Sequence, residues 1–247
     1  MGTIIAVTAA AGMGGTGLGG LAAYLFRRGT DRTVSVLLSF AAGMMLAVVG
    51  ADLLTDAIQA GPGLSALPAA SASVLAGCGG IWLLEELVSG LQAGAKQGGL
   101  FLAGVVMAAA IALHNLPEGM VIGASYAADL AEAGQDGRMM ALVIGLHNIP
   151  EGMAVAVPLA AGGASRGRAV LTTAAAGAPT VLGAVLGFCL GTMGPGLQML
   201  TLGGASGAML YVVFGELLPE SFCLCRSPAP VMAAVLGGLT GMGGVLG

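Results

Sequence analysis

Charge is what this chain has least of. Lys and Arg number 8 and Asp and Glu 12, together 8% of 247 residues, where a soluble domain carries roughly 25%. So few charges cannot coat a water-exposed surface, which excludes a soluble globular fold. The formal net charge of −4 leaves no basic footprint for nucleic acid. Cysteines number 4 and none forms a CxxC pair: Cys78 and Cys189 fall within apolar stretches, Cys223 and Cys225 near the end of one. A disulfide framework is therefore not expected. Aromatics make up 4%, and His114 and His147 are the only histidines.

What is abundant is apolar surface, at 57% of residues with a mean hydropathy of +0.96. Each membrane span needs roughly 20 apolar residues. Charge clusters and turn residues divide the chain into eight expected spans, at about 3–25, 33–55, 66–88, 100–126, 138–160, 169–191, 197–219 and 228–246. Short connections leave no room for a separate soluble domain, so residues 1–247 read as one transmembrane domain, all-α and integral to the membrane. The 45 glycines sit inside these spans beside Ala, Leu and Val, where small residues let helix backbones approach closely. No cationic n-region precedes the first apolar stretch, which reads as a retained span. Gly12-Met-Gly-Gly-Thr-Gly17 matches GxGxxG, but it follows no strand, so a nucleotide site is rejected.

The cations orient the spans by the positive-inside rule. Arg27, Arg28, Arg32, Lys96, Arg166, Arg168 and Arg226 all fall in alternate loops, and Arg138 alone on the other side. Both termini are thereby expected outside the cytoplasm, in a cell (inner) membrane. The outer face carries Asp56, Asp129, Glu132 and Asp136, an acidic rim that concentrates cations.

Three segments of the chain repeat. Residues 41–56 (AAGMMLAVVGADLLTD) and 205–220 (ASGAMLYVVFGELLPE) agree at eight of sixteen positions at an offset of 164, acid matching acid. Thr8-Ala-Ala-Ala-Gly12 recurs as Thr173-Ala-Ala-Ala-Gly177 at an offset of 165, and His114-Asn-Leu-Pro-Glu-Gly-Met120 as His147-Asn-Ile-Pro-Glu-Gly-Met153. These matches relate spans one and six, two and seven, four and five. An odd number of span steps separates each pair, so each relates antiparallel helices. That is the pattern of inverted-topology repeats, in which transporters build a midplane site. The expected arrangement is three spans, a central pair, then three spans; span three does not visibly match span eight.

The repeated motif carries the chemistry. Glu118 and Glu151 fall near mid-span, where an ionised side chain facing lipid costs on the order of 3 kcal/mol or more. His114 and Asn115 lie four and three residues before Glu118, on its helical face, and His147 and Asn148 stand likewise to Glu151. Facing each other, the two sets offer imidazole, carboxylate and amide oxygen to one ion. Pro117 and Pro150 free the carbonyls of Leu113 and Leu146, and Gly119 and Gly152 are expected to keep that turn open. Imidazole with carboxylate and no thiolate suits zinc, Fe(II), manganese or cadmium over Cu(I). A single His-Asn-x-Pro-Glu can be a hydrogen-bonded kink; two on adjacent helices weigh against it. Pathway candidates are Ser125 and Asp129 on the Glu118 face, the i,i+4 pairs Asp52/Asp56 and Glu216/Glu220, and the repeat-related Met45 and Met209.

The paired HNxPEG motifs within eight spans resemble the ZIP metal transporters, and within them the GufA-like and ZupT-like branch. The resemblance spans essentially the whole chain. It implies zinc, or another divalent transition metal, as the substrate carried toward the cytoplasm. It also implies a metal site of one or two ions at His114, Asn115, Glu118, His147, Asn148 and Glu151, a homodimer and an elevator-like motion. Two departures stand out: Thr180 occupies a position where related members often carry Glu, and the segment from Ser89 to Gly99 lacks histidines. The competing readings are an intramembrane metal-dependent hydrolase, for which HExxH is missing, and a channel-like metal-binding membrane protein.

Overall fold

The computed structural model describes residues 1–25, 31–61, 63, 66–95, 99–132 and 136–246, and every regular element among them is a helix. Arg27, Arg28 and Lys96, used above to orient the chain, lie outside the described residues. An all-helical result is what apolar sequence dictates at membrane depth, where backbone polar groups must be satisfied within the segment.

Helix α1 begins as Gly2–Ala9, loosens into a π-helical turn at Ala10–Gly14 and resumes as Gly15–Leu25. α2 is built alike from Asp31–Val48, a π-turn at Val49–Leu53, and Leu54–Ala60. α3 is Ala66–Ala95, α4 Gly99–Glu132 and α5 Asp136–Ala161. α6 comprises Arg166–Ala176 and Pro179–Thr192, broken at Gly177 and Ala178. α7 joins Pro195–Val212 through a π-turn at Val213–Leu217 to Leu218–Leu224, and α8 is Pro228–Leu246. Proline opens Pro179–Thr192, Pro195–Val212 and Pro228–Leu246, where its missing N–H has no intrahelical partner to lose. Glycines with φ of 88° at Gly163 and 142° at Gly194 turn the chain before and after α6, conformations that a β-carbon disfavours.

Among the described residues, six stretches are long and apolar enough to cross a bilayer: Gly2–Ala23, Asp31–Ala60, Ala66–Leu83, Gly137–Ala161, Arg166–Thr192 and Pro195–Leu224. The backbone irregularities do not fall where the prolines predict. α4 runs on through Pro117, and α5 through Pro150 and Pro158; the loosened turns lie instead in α1, α2 and α7. Gly119 and Gly152 are likewise helical and open no turn. They lie against the backbone carbonyls of Thr180 and Thr16, respectively.

Close glycine contacts sort the helices into two sets. Among the described residues, each glycine whose β-carbon would strike the backbone of another helix does so within α1, α4, α5 and α6 or within α2, α3, α7 and α8. Between the sets the packing is by side chains, with Met45, Ile122, Ile144 and Met209 in one buried cluster. An apolar cavity of about 330 Å³ also separates them, lined by Ile81, Leu113, Pro117, Leu190, Leu200 and others. Within the second set, Ser39 Oγ lies 2.6 Å from Ser221 Oγ, and Ser35 Oγ donates to the Ser221 carbonyl at 2.7 Å. All three serines are fully buried, and they tie α2 to the end of α7.

The same contacts repeat around the molecule. Gly43 lies against the Ala234 carbonyl and Gly207 against that of Val74; Gly77 lies against the Gly204 carbonyl and Gly237 against that of Phe40. Residues 43 and 207, like 40 and 204, are 164 apart; residues 74 and 234, like 77 and 237, are 160 apart. α3 and α8 thus occupy equivalent positions that their sequences do not disclose. The π-turns Val49–Leu53 and Val213–Leu217 also stand 164 apart. Gly77→Val would drive a branched side chain into the Gly204 backbone, an overpacking that costs about 1–3 kcal/mol. A fall in the melting temperature of the detergent-solubilised protein is expected; an unchanged value would contradict this close approach.

Candidate metal centre

α4 and α5 place their motifs side by side. Glu118, His147 and Glu151 each offer a ligand atom, and these atoms all lie within 4.8 Å of one another. The three residues are wholly buried, at 0% exposure. His147 Nε2 lies 3.1 Å from Glu118 Oε1. Two ligands on one zinc at 2.0–2.2 Å can stand at most about 4 Å apart, so the group needs to draw in only slightly to hold an ion.

His114 takes a different partner. Its Nε2 is 3.0 Å from Glu216 Oε1, a hydrogen bond that joins α4 of one helix set to α7 of the other. Glu216 sits on the π-turn of α7 and Asp52 on the equivalent turn of α2. π-turns in otherwise regular helices occur frequently at functional sites, where the extra residue redirects a side chain.

Each asparagine donates to an irregular turn of a neighbouring helix. Asn148 Nδ2 donates to the Ala11 carbonyl at 3.2 Å, inside the π-turn of α1. Asn115 Nδ2 donates to Ile111 O at 3.0 Å and to Ala176 O at 3.2 Å, at the break of α6. Thr180 Oγ1 donates to Asn115 Oδ1 at 3.0 Å. Ala11 and Ala176 are separated by the 165 residues that relate α1 to α6.

After these bonds are counted, several buried polar atoms keep no partner: His114 Nδ1, Glu118 Oε2, His147 Nδ1, Asn148 Oδ1, both oxygens of Glu151 and the hydroxyl of Tyr126. An unsatisfied buried polar group costs about 1–3 kcal/mol, and more when charged. All but the last belong to the two motifs. Of these, the carboxylates of Glu118 and Glu151 and the imidazole of His147 come together as oxygen and nitrogen donors suited to a borderline divalent cation.

The pathway candidates are distributed along these helices. Met45 and Met209 are buried at 0% and 1% exposure, in the cluster between the helix sets. Ser125 is buried and donates to Val121 O at 3.0 Å. Asp129 Oδ2 accepts from the Gly137 N–H at 3.2 Å, across the α4–α5 turn. Asp52 and Asp56 are half-buried, Glu216 is 26% exposed and Glu220 faces outward. Thr180 is fully buried. Sequence reading missed the helix breaks and the carbonyls of Ala11 and Ala176. One signal was available: the offset falls from 165 at Thr8/Thr173 and Gly12/Gly177 to 164 at Thr16/Thr180, which means one extra residue in α1 between Gly12 and Thr16.

Fold and site together define a multi-pass helical membrane protein with a buried acid–imidazole centre. Comparison with known proteins gives that class a family. Residues 89–247 match the family described as ZIP Zinc transporter. The chain is 35% identical to Zinc transporter ZupT of Chlorobium luteolum, over 83% of each chain. It is 37% identical to Zinc transporter ZIPB of Bordetella bronchiseptica, over 86% of this chain and 71% of that one. It is also 39% identical to Zinc transporter GufA of Myxococcus xanthus, over 45% of this chain and 43% of that one. The chain belongs to the ZIP family.

Removing a buried acid removes its desolvation cost as well as its ligand atoms. Glu151→Gln is therefore expected to leave the melting temperature of the metal-free protein unchanged or higher, and to abolish the stabilisation that added zinc confers. A thermal-shift titration checks both; a zinc-dependent shift of wild-type size in the variant would contradict the assignment.

Proposed function

We propose that this protein carries a divalent transition metal, zinc foremost, across the membrane toward the cytoplasm, with Glu118, His147 and Glu151 at the core of its binding site. The observation that carries this reading is the unpaired state of their buried donor atoms. His114 stands beside the core, tied to Glu216. Neither thiolates nor a closed ligand cage hold the ion, so the site releases what it binds. That relatives are named zinc transporters weighs against the hydrolase reading.

The architecture that serves this function is eight spans, α1 to α8, arranged as three, two and three about a pseudo-twofold axis. The repeated glycine contacts and paired π-turns support it. Both termini then face away from the cytoplasm. The Asp52/Asp56 end of α2 forms the entrance, and the Glu216/Glu220 end of α7 the exit. Ser125 and Asp129 extend the entrance along α4, while Met45 and Met209 line the passage between.

Elevator-like movement of α1, α4, α5 and α6 against the other four helices fits the division of close backbone contacts. Locked backbones hold each set together, whereas side chains and an apolar cavity separate the sets. The family resemblance supplies the homodimer.

In proteoliposomes, Glu118→Ala and Glu151→Ala are each expected to abolish saturable zinc uptake while the protein remains inserted. Near-normal uptake by the double variant would overturn the site. Uptake rising linearly with zinc concentration, without saturation, would favour a channel over a carrier.

A further inference from the structure

The apolar cavity between the helix sets has a counterpart across the repeat, and the two are unequal. Pro117 and Met120 line the cavity from α4, and Leu197 and Thr201 from α7. Their repeat mates, Pro150 and Met153 on α5 with Thr33 and Leu37 on α2, line a gap of about 10 Å³. Residues 117 and 150, like 120 and 153, are 33 apart, and residues 33 and 197, like 37 and 201, are 164 apart. One cleft is therefore open at about 330 Å³ while its equivalent is closed.

The walls of the open cleft are rigid. Gly77 lies against the Gly204 carbonyl and Gly207 against that of Val74, which fixes α3 to α7. Opposite them, Gly183 lies against the Leu116 carbonyl and Gly187 against that of Met120, which fixes α6 to α4. A cleft between two such pairs closes when the pairs move together, not when a side chain turns. Its lining extends along α7 from Leu197 to Ala208, a rise of about 16 Å. Gly80 and Leu200 in that lining are exposed on stretches that cross the bilayer, so the cleft opens to lipid. A β-carbon on Gly80 would meet nothing within 4 Å. Among the described lining residues, Thr201 brings the only side-chain hydroxyl, and it donates to the Leu197 carbonyl at 2.8 Å. Water settles where it finds about two to four polar partners, which this lining does not offer. Hydrocarbon fits it.

We propose that one acyl chain of a bilayer phospholipid occupies this cleft and holds the helix sets in their present arrangement. The equivalent cleft is too small for a chain, so a lipid bound here favours one of the two arrangements that an inverted repeat allows. The chain has to leave before α4 and α6 can close on α3 and α7. This hold on the helix sets rests on reading them as moving bodies in transport; occupancy of the cleft does not.

Proteoliposomes containing a phosphatidylcholine with a photoactivatable diazirine in its acyl chain test both parts. Illumination is expected to label Leu116 and Met120. It should also label Leu75 and Leu171, exposed at 72% and 71%, which report ordinary contact with the bilayer. Gly80→Phe places a ring where the cleft opens. Labelling of Leu116 and Met120 should then fall about tenfold, with that of Leu75 and Leu171 unchanged. Ala208→Leu, which fills the cleft from a buried lining position, makes the same comparison should that ring turn out to lipid or the variant fail to insert. Zinc uptake by a variant that has lost the labelling should fall at least fivefold, while added zinc still raises its melting temperature as in the wild type. Labelling of Leu75 and Leu171 alone would mean adventitious bilayer contact only and would overturn the site. So would full labelling of Leu116 and Met120 in both variants. Undiminished uptake by a variant that has lost the labelling would overturn the hold on the helix sets. Absence of zinc uptake by the wild type would instead overturn the transport reading, and the labelling would still decide the site.

Discussion

The structure is organised around two carboxylates and an imidazole that meet wholly buried. Glu118, Glu151 and His147 are each fully buried, and their only mutual hydrogen bond joins His147 to Glu118. An ionised acid in such a place is tolerated when a cation or a set of donors compensates it. Donors are few here, and both oxygens of Glu151 lack one. The arrangement is costly as a structural device and sensible as a binding site that is filled and emptied in turn. Proteins retain such strain where function requires it.

Everything around this centre serves to hold the acids in place without occupying them. α4 and α5 remain regular helices, so the motif side chains project from rigid supports. The neighbouring helices are the ones that deform, and each deformation presents something useful. Carbonyls in the π-turn of α1 and at the break of α6 accept from the two asparagines, while the π-turns of α2 and α7 carry Asp52 and Glu216. A π-turn costs hydrogen-bond geometry and gains a redirected side chain. Close glycine contacts set the packing elsewhere, since without a hydrophobic driving force in lipid, association depends on contact between backbones.

Much of this was legible in the sequence, for physical reasons. Apolar length marks helical spans, because the bilayer leaves the backbone few other options. The repeated motif singled out the acids and imidazoles that the structure buries together, because ionisable residues at membrane depth are rare unless they function. The partner of His114 was not legible, since Glu216 lies 102 residues away and was read only as lining an exit. The equivalence of α3 and α8 was invisible too: it rests on where glycines meet carbonyls, and little side-chain identity is needed to preserve that. Pro117 and Pro150 misled. A proline inside a helix removes one hydrogen bond, but helices packed on either side can keep its axis continuous, as they do in α4 and α5. The π-turn of α1 left only a one-residue slip between two repeat offsets, a signal that gains meaning once a bulge is seen.

The centre itself can be observed directly. Zinc-edge anomalous diffraction from crystals of the zinc-loaded protein locates the ion without reference to transport. The account predicts a peak enclosed by Glu118, His147 and Glu151, at the 2.0–2.2 Å typical of zinc bound to nitrogen and oxygen. A peak elsewhere in the membrane interior, with those three side chains turned apart, would contradict it.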